Sequence, residues 1–269
     1  MGDASYDPRN YLGFGHFDYV PTKLVDTEYL ETASDDWFVD FDADGIPDLP
    51  IGRIPVHSLA DVQTVIAKVL AYEQAQPHKQ IVLVSDMDDP TFSFEGASTA
   101  LRSGLPQDIS VQEVFRSRFS DDDQVHASFL ASLNQGPLLV NFVGHGSIEM
   151  WRGWILDTGD EEQFSNGSLL PFFVNMTCLN GHFQAPNADS LAETLLTAQN
   201  GGAIAVWASS GMTEPGGQAA VDRELISLLF NGESLTLGEA IKRAKTATGD
   251  PDVRKTWILF GDPTTRLKY

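Results

Sequence analysis

Short apolar runs alternate with stretches of helical periodicity along most of the chain after residue 78. Continuous apolar runs are typical of strands buried on both faces of a sheet, and apolar residues at every third or fourth position are typical of helices. This alternation predicts an α/β fold with a mostly parallel sheet flanked by helices. Strands are predicted over 81–84, 111–115, 138–143, 172–175 and 203–208, and helices over 95–103, 123–133, 190–198, 217–230 and 237–246.

The first part of the chain has a different pattern. Residues 1–56 lack helical periodicity and are rich in Asp, Tyr and Pro. A helix is predicted over 59–73, after the N-cap residue Ser58. Pro77 separates this helix from the pattern that follows. We therefore expect a partial N-terminal subdomain over residues 1–77 and an α/β subdomain over residues 78–269.

Two of the predicted strands end in residues that can perform nucleophilic chemistry. His145 lies between two glycines after strand 138–143, and Cys178, the only cysteine, follows strand 172–175. If the two strands are neighbours in a parallel sheet, both side chains emerge at its carboxyl edge. The imidazole would then take or hold the proton of the thiol, and the main-chain amides of Gly146 and Cys178 would donate to a developing oxyanion.

Each of these residues also has a simpler interpretation. A lone cysteine in an apolar environment is most often an inert small hydrophobic residue, and a histidine at a strand end is often a satisfied polar group. The shared placement of Cys178 and His145 at strand ends, each with glycine nearby, favours the catalytic interpretation.

Several segments of the chain together resemble the gingipain-type cysteine peptidases, within the larger group of caspase-like cysteine peptidases. They are Pro47 to Pro55, Gly144 to Ser147 with Trp151 after it, Thr177 to Gly181, Ser190 to Glu193 with Gly201 to Ala205, and Phe260 to Pro263. The resemblance implies a caspase-like fold with residues 78–269 as the catalytic subdomain. It also implies that Cys178 is the nucleophile, that His145 is the general base and acid, and that Gly146 and Cys178 supply the oxyanion amides.

The resemblance further implies an acidic residue, after strand 81–84, that orients the catalytic histidine. Asp86 and Asp88 both match its position, and we assign the role to Asp86 because it follows the strand more closely. A solvated acidic loop or a metal site remains the alternative for this segment.

Substrate preference is predicted less directly. Gingipains resemble one another in cutting after Arg or Lys, using an acidic residue in the loop after that strand, where this chain has Glu95 and no aspartate over 91–94. We assign Glu95, Met212 and Trp151 to the substrate cleft. Basic side chains are the predicted substrates, with an apolar pocket as the alternative.

An Asp-rich segment predicts a structural calcium site. Asp40, Asp42, Asp44 and Asp48 follow the pattern D-x-D-x-D-G-x-x-D, which places alternate carboxylates around a hard cation. A similar segment occurs in the gingipain-type family, and an ordinary acidic turn is the alternative. No organic cofactor is implied.

The composition limits the kinds of molecule that we expect the protein to bind. The net charge of −21, from 38 acidic and 17 basic residues, disfavours nucleic acid and anionic membranes and suits cationic substrates, although such a surface mostly serves solubility. The sequence contains no run of 18 apolar residues, so no membrane span is predicted, and no signal peptide is visible. The resemblance implies a secreted or cell-surface protein, and we expect this chain to be part of a longer one.

We therefore predict a cysteine endopeptidase that cleaves protein or peptide substrates through a thioester acyl-enzyme. One alternative is a transpeptidase or sorting enzyme, in which an amine instead of water attacks the same thioester. The other is a non-catalytic, calcium-stabilised module of a surface protein, in which the Cys178 and His145 pair would be coincidental.

Overall fold

The computed structural model describes residues 1–15, 18–76 and 78–269, so Pro77 lies outside the described residues. Its strands are β1 (Lys23–Asp26), β2 (Glu31–Ser34), β3 (His78–Ser85), β4 (Ser110–Phe115), β5 (Pro137–Val143), β6 (Phe172–Met176), β7 (Ala205–Ser209) and β8 (Trp257–Phe260). Its α-helices are α1 (Leu59–Gln74), α2 (Phe94–Ala100), α3 (Asp122–Leu133), α4 (Leu191–Thr197), α5 (Pro215–Phe230), α6 (Leu237–Ala244) and α7 (Pro251–Thr256).

The central sheet has six strands in the order β4-β3-β5-β6-β7-β8. Strands β3 to β7 are parallel, and β8 is antiparallel to β7. In the register, Ser85 pairs with Val143, and Val143 pairs with Met176, so β3, β5 and β6 end at the same level. The loops that follow these three strands therefore leave the sheet at one edge.

Each face of this sheet carries a hydrophobic core. The alternation of side chains along the strands sends Val82, Val140 and Val206 to one face, where they pack with residues of α1, α3 and α4. Ile81, Leu139 and Trp207 lie on the other face, with residues of α2, α5 and α6. The result is a sheet between two layers of helices, as the sequence predicts.

The described residues of the N-terminal part contribute to the same core. Ala4, Ala33, Val56 and Val65 belong to the cluster on the first face of the sheet. β1 and β2 form a separate antiparallel hairpin. The division of the chain into two subdomains at residue 77 stays a prediction.

Most predicted elements are present with shifted ends. The predicted helix over 95–103 is α2 followed by a 3₁₀ turn, Leu101–Gly104, and the helix over 237–246 is α6 followed by the 3₁₀ turn Lys245–Ala247. Sequence reasoning missed the β1–β2 hairpin, α7 and β8. These elements have only four to six residues each, too few for a periodic pattern.

No helix of the described part of the chain is long and apolar enough to cross a lipid bilayer.

Candidate active site

Cys178 and His145 lie on the loops that follow two neighbouring strands, β6 and β5. Both residues line one cavity of about 260 Å³ at the carboxyl edge of the sheet. The wall of this cavity also includes Tyr29, Asp89, Phe94, Met212, Thr213 and Glu214. The structure thus brings the predicted nucleophile and the predicted base to a single cleft.

Glycines allow the histidine loop to run close to its neighbours. A Cβ atom at Gly144 would lie 2.5 Å from the Cβ atom of Asp86, and one at Gly146 would lie 2.7 Å from the hydroxyl oxygen of Thr177. Such separations are far shorter than van der Waals contact, so any larger residue would push the loop away. The close approach of the His145 loop to Asp86 therefore requires glycine at position 144, and its close approach to the cysteine loop requires glycine at position 146.

The Cys178 side chain is partly buried, and its Sγ lies 3.7 Å from the carbonyl oxygen of Thr213. Burial raises the pKa of the Cys178 thiol, and the negative charge of Glu214 raises it further. The thiol therefore keeps its proton at neutral pH in the free protein. A neighbouring base is needed before the sulfur can act as a nucleophile.

Among the residues that the structure describes, the side chain of His145 has one polar contact in this cleft. Its Nε2 lies 3.1 Å from Oδ2 of Asp89, and its ring stands edge-on to Phe94 with 5.0 Å between the ring centroids. Oδ1 of Asp89 accepts hydrogen bonds from the hydroxyl and the main-chain N–H of Thr91, and from the N–H of Phe92. These bonds, led by the one from the Thr91 hydroxyl, lower the pKa of Asp89 to about 2, so its carboxylate stays ionised.

The structure does not bring Asp86 to the imidazole. Oδ1 of this buried carboxylate accepts hydrogen bonds from Arg116 at 2.9 Å and from the N–H of Met87 at 2.7 Å. Its Oδ2 is 3.4 Å from the main-chain nitrogen of His145. Asp86 therefore supports the backbone of the histidine loop, because Arg116 holds its carboxylate on the protein interior.

The other sequence candidate, Asp88, also lies away from the imidazole. Its carboxylate accepts hydrogen bonds from the hydroxyl of Ser93 and the N–H of Glu95, at the start of α2. Asp89, which sequence reasoning missed, reaches the imidazole because the chain folds back through a turn over 89–92. The Asp-Pro-Thr sequence at its start was the available signal, since aspartate in such turns accepts hydrogen bonds from the residues that follow.

Two main-chain amides at the cleft have no protein acceptor. Within the described ranges, the N–H groups of Gly146 and Cys178 donate to no protein atom, although neighbouring amides such as those of Ser147 and Leu179 do. Leu179 has a positive φ of 64°, which turns the chain sharply after the cysteine. Free N–H donors beside a nucleophile are what an oxyanion hole requires.

Asn180 connects the His145 loop to the Cys178 loop, a role that was not predicted. Its side-chain NH₂ donates to the carbonyl of Ser147 at 2.6 Å, and its side-chain oxygen accepts from the indole N–H of Trp151 at 2.8 Å. Trp151 is fully buried and stacks on Phe142 with 4.2 Å between the ring centroids. The expectation that Trp151 lines the substrate cleft is therefore not met, because the indole is enclosed and fixes the loops from within.

The other two predicted cleft residues have different outcomes. Met212 lines the cavity beside Cys178. Glu95 is not among the described residues of the wall, because Ser117 and Arg118 hold its carboxylate at 2.5 and 2.7 Å. These bonds, the one from Ser117 first, lower the pKa of Glu95. Besides Asp89, the cavity wall contains a second acidic residue that the sequence did not predict there, Glu214, just before α5.

Three of the four predicted calcium ligands converge. Carboxylate oxygens of Asp40, Asp42 and Asp48 all lie within 4.8 Å of one another. Asp44 is not part of this group, and its Oδ1 accepts a hydrogen bond from the N–H of Ile46. Within the part of the chain that the structure describes, none of the four carboxylates forms an ion pair with a basic side chain.

A second group of side chains with the donor types of a metal site lies deeper in the protein. Nε2 of His57 is 2.8 Å from Oδ2 of Asp3 and 3.7 Å from Oε1 of Glu193. Burial raises the pKa of Asp3 and raises that of Glu193 well above its usual value, and the hydrogen bond to Asp3 raises the pKa of His57. This group ties the N-terminal residues to the start of α4.

The model of peptidase family C25 matches residues 1–268 of this chain. Gingipain R2 of Porphyromonas gingivalis is 25% identical over 239 residues, which are 81% of this chain and 32% of that protein. Gingipain R1 of Porphyromonas gingivalis has the same identity, and the match covers 24% of its length. The chain therefore spans about a third, or less, of the length of the curated relatives it matches.

Solved structures show the same fold. The crystal structure of the Arg-specific cysteine proteinase gingipain R has a TM-score of 0.79 and 21% identity, covering 91% of this chain and 61% of that one. A chain of the Saccharomyces cerevisiae separase–securin complex has a TM-score of 0.59 and 14% identity, over 82% of this chain and 14% of that one. The predicted gingipain-like α/β fold is confirmed by these similarities.

Proposed function

Because the chain belongs to peptidase family C25, we propose that it is a cysteine endopeptidase with Cys178 as nucleophile and His145 as general base and acid. The observation that carries this proposal is the meeting of the two side chains in one cavity, at the ends of the adjacent parallel strands β5 and β6. A thiol that keeps its proton and an imidazole in the same cavity are the two groups that nucleophilic catalysis by cysteine needs.

The reaction begins when His145 takes the proton of the Cys178 thiol. The thiolate attacks the carbonyl carbon of the peptide bond, and the resulting oxyanion accepts hydrogen bonds from the N–H groups of Gly146 and Cys178. His145 then gives its proton to the leaving amine as the C–N bond breaks, which leaves a thioester on the sulfur. A water molecule, deprotonated by His145, attacks the thioester and restores the thiol.

Asp89 has a supporting part in this scheme. Its carboxylate lies 3.1 Å from Nε2 of His145 and carries a negative charge, since the pKa of Asp89 is lowered to about 2. It stabilises the imidazolium that forms when the thiol proton is transferred, and it holds the ring in one orientation. In this role Asp89 replaces Asp86.

We propose that the cleft prefers a basic side chain before the scissile bond. Glu214 supports this preference, because its carboxylate belongs to the cavity that contains Cys178. Glu95 does not contribute, since Arg118 already compensates its charge. The net charge of −21 also draws cationic peptides towards the protein. Phe94 and Met212 in the same wall support the alternative, an apolar pocket.

Calcium is proposed as a structural ion held by Asp40, Asp42 and Asp48. Three carboxylates within 4.8 Å of one another repel unless a cation lies among them, and oxygen ligands suit Ca²⁺. Asp44 supports the site through its hydrogen bond within the loop instead of acting as a ligand. The ion would hold the loop over 40–48 and take no part in the chemistry.

We further propose that the peptidase works outside the cell or at its surface, as part of a longer chain. This rests on the gingipain-type resemblance and on the fraction of its relatives that the chain spans. Cell fractionation with an antibody against this chain tests it, and a purely cytoplasmic location would contradict it.

Cleavage of a peptide library tests the proposed function. The purified protein should cleave peptides at measurable rates, and Cys178→Ala and His145→Ala should lower the rate to background. Analysis of the products with and without an added amine distinguishes hydrolysis from transfer to the amine. If all three proteins cleave equally slowly while their melting curves agree, the chain is a non-catalytic module.

A further inference from the structure

Tyr29, in the N-terminal part of the chain, also lines the cavity that contains Cys178 and His145. It lies at the tip of the β1–β2 hairpin, and its hydroxyl donates a hydrogen bond of 2.5 Å to Oε1 of Glu214, 185 residues away along the chain. Both side chains line the cavity beside Cys178. The carboxylate that supports basic specificity is therefore already engaged through one of its two oxygens.

The hairpin that carries Tyr29 is fixed to the rest of the protein. The Thr32 hydroxyl donates to the Ser210 carbonyl at 2.7 Å, and the Ser210 hydroxyl donates to the Ala33 carbonyl at 2.6 Å. At the turn, the N–H of Glu28 donates to Asp252 at 2.8 Å. These bonds hold the tip of the hairpin over the cleft, so the position of Tyr29 does not depend on its contact with Glu214 alone.

The phenol of Tyr29 keeps its proton at neutral pH and remains a hydrogen-bond donor. The hydrogen bond to Glu214 raises the pKa of Tyr29 to about 12, with smaller contributions from burial and from the negative charge of Glu214. The phenol therefore still carries, at neutral pH, the proton through which it holds Oε1 of Glu214.

The two basic side chains make different demands on a carboxylate. The planar guanidinium of arginine binds best when two of its N–H groups meet both oxygens side by side. The ammonium of lysine is a compact point charge, and one oxygen is enough to pair with it. A carboxylate with one oxygen already occupied therefore suits lysine better than arginine.

We propose that Tyr29 is a specificity-determining residue which, by holding one oxygen of Glu214, makes the cleft prefer lysine over arginine before the scissile bond. The inference rests on the proposed function, since it concerns the substrate of the same site. Removal of the phenol hydroxyl should release the second oxygen and allow arginine to bind through both.

Three peptides that differ only in Lys, Arg or Leu before the scissile bond test this inference. For the unchanged protein, kcat/KM should be higher with Lys than with Arg. Tyr29→Phe should lower the Lys-to-Arg ratio by about tenfold, the effect of one hydrogen bond to a charged group. Glu214→Gln should lower turnover of both basic peptides relative to the Leu peptide.

Tyr6→Phe is the matched control, because Tyr6 is 42% exposed and Tyr29 is 46% exposed, and Tyr6 does not line the cavity. It should keep the Lys-to-Arg ratio of the unchanged protein. A preference for Arg in the unchanged protein, or the same ratio in Tyr29→Phe, would overturn the inference and leave the peptidase intact. Turnover no faster than that of Cys178→Ala with every peptide would overturn both the proposed function and this inference.

Discussion

At the scale of single residues, the chemistry depends on where protons reside. Burial and the nearby Glu214 keep the proton on Cys178, so the base must be close and correctly oriented. Asp89 contacts the imidazole of His145, whereas Asp86 contacts only its main chain. We therefore expect the two aspartates to have separable roles, Asp89 in the proposed reaction and Asp86 in the stability of the loop.

Substitution of each aspartate by asparagine separates these roles. Asp89→Asn removes the charge beside the imidazole and should lower kcat/KM on the order of 10²-fold, since general acid–base catalysis contributes about 10² to 10⁴. Its melting temperature should hardly change. Asp86→Asn leaves the Arg116 contact without its full charge partner and should lower the melting temperature clearly. Equal kinetic losses without any difference in melting would contradict this assignment.

The positions of Cys178 and His145 were predictable, and that of Asp89 was not. Strand ends are visible in the sequence as the ends of apolar runs, and adjacent parallel strands place their ends together. The contact of Asp89 depends on a turn that folds residues 89–92 back towards the sheet, and Glu214 reaches the cleft only because α5 begins beside it. Such contacts follow from loop conformation, which periodicity does not encode.

At the scale of elements, the buried pair Asp222 and Asn141 joins α5 to β5. The side-chain NH₂ of Asn141 donates to Oδ1 of Asp222 at 2.7 Å, and both residues are buried. Burial raises the pKa of Asp222 to about 7. The helix that begins beside Glu214 is thus held to the central sheet by an acid that titrates near neutrality.

Stability should depend on pH through this acid. A carboxyl group whose pKa is raised by folding binds its proton more tightly in the folded state, so its contribution is present below the unfolded pKa of 3.8 and is lost as pH rises towards 7. The melting temperature of Asp222→Asn minus that of the unchanged protein should therefore be larger at pH 8 than at pH 4. Asp123→Asn, at an exposed position on α3, is the control. If the melting-temperature difference between Asp222→Asn and the unchanged protein is the same at both pH values, the proposed effect of the buried acid is wrong.

The elements themselves differ in how far their sequences predict them. α1 begins at the predicted cap, because the Ser58 side chain accepts from the N–H of Asp61 and the Asp61 side chain accepts from the N–H of Ser58. The β1–β2 hairpin carries no such signal. Its strands have four residues each, and they are held mainly by contacts with distant loops such as that of Ser210.

At the scale of the whole molecule, the N-terminal part is joined to the α/β part by buried polar contacts as well as by the shared core. Arg53, which forms an ion pair with Asp35 inside the N-terminal part, donates its main-chain N–H to the carbonyl of Leu259 in β8. Lys245 of the α/β part forms a buried ion pair with Asp36. The Asp-rich loop over 40–48 lies between Asp35 and Arg53 in sequence. Its conformation should therefore affect the stability of the molecule beyond the loop.

Removal of calcium tests this expectation. If Asp40, Asp42 and Asp48 bind Ca²⁺ only in the folded state, the melting temperature should rise with millimolar calcium and fall with excess chelator, by mass action. Asp42→Asn should weaken the response, and Asp44→Asn should weaken it less because Asp44 lies outside the group of three. A melting temperature that is the same in calcium and in chelator would remove the ion from the account.

The most direct test of the catalytic pair is alkylation of the single cysteine in the folded protein. With iodoacetamide at neutral pH, followed by mass spectrometry, Cys178 should react in the native protein, and His145→Ala should react more slowly because the proton of the buried thiol has no acceptor. Asp89→Asn should lie between the two. A native protein that resists alkylation until it is denatured, or that reacts at the same rate without His145, would contradict the assignment of Cys178 and His145 as nucleophile and base.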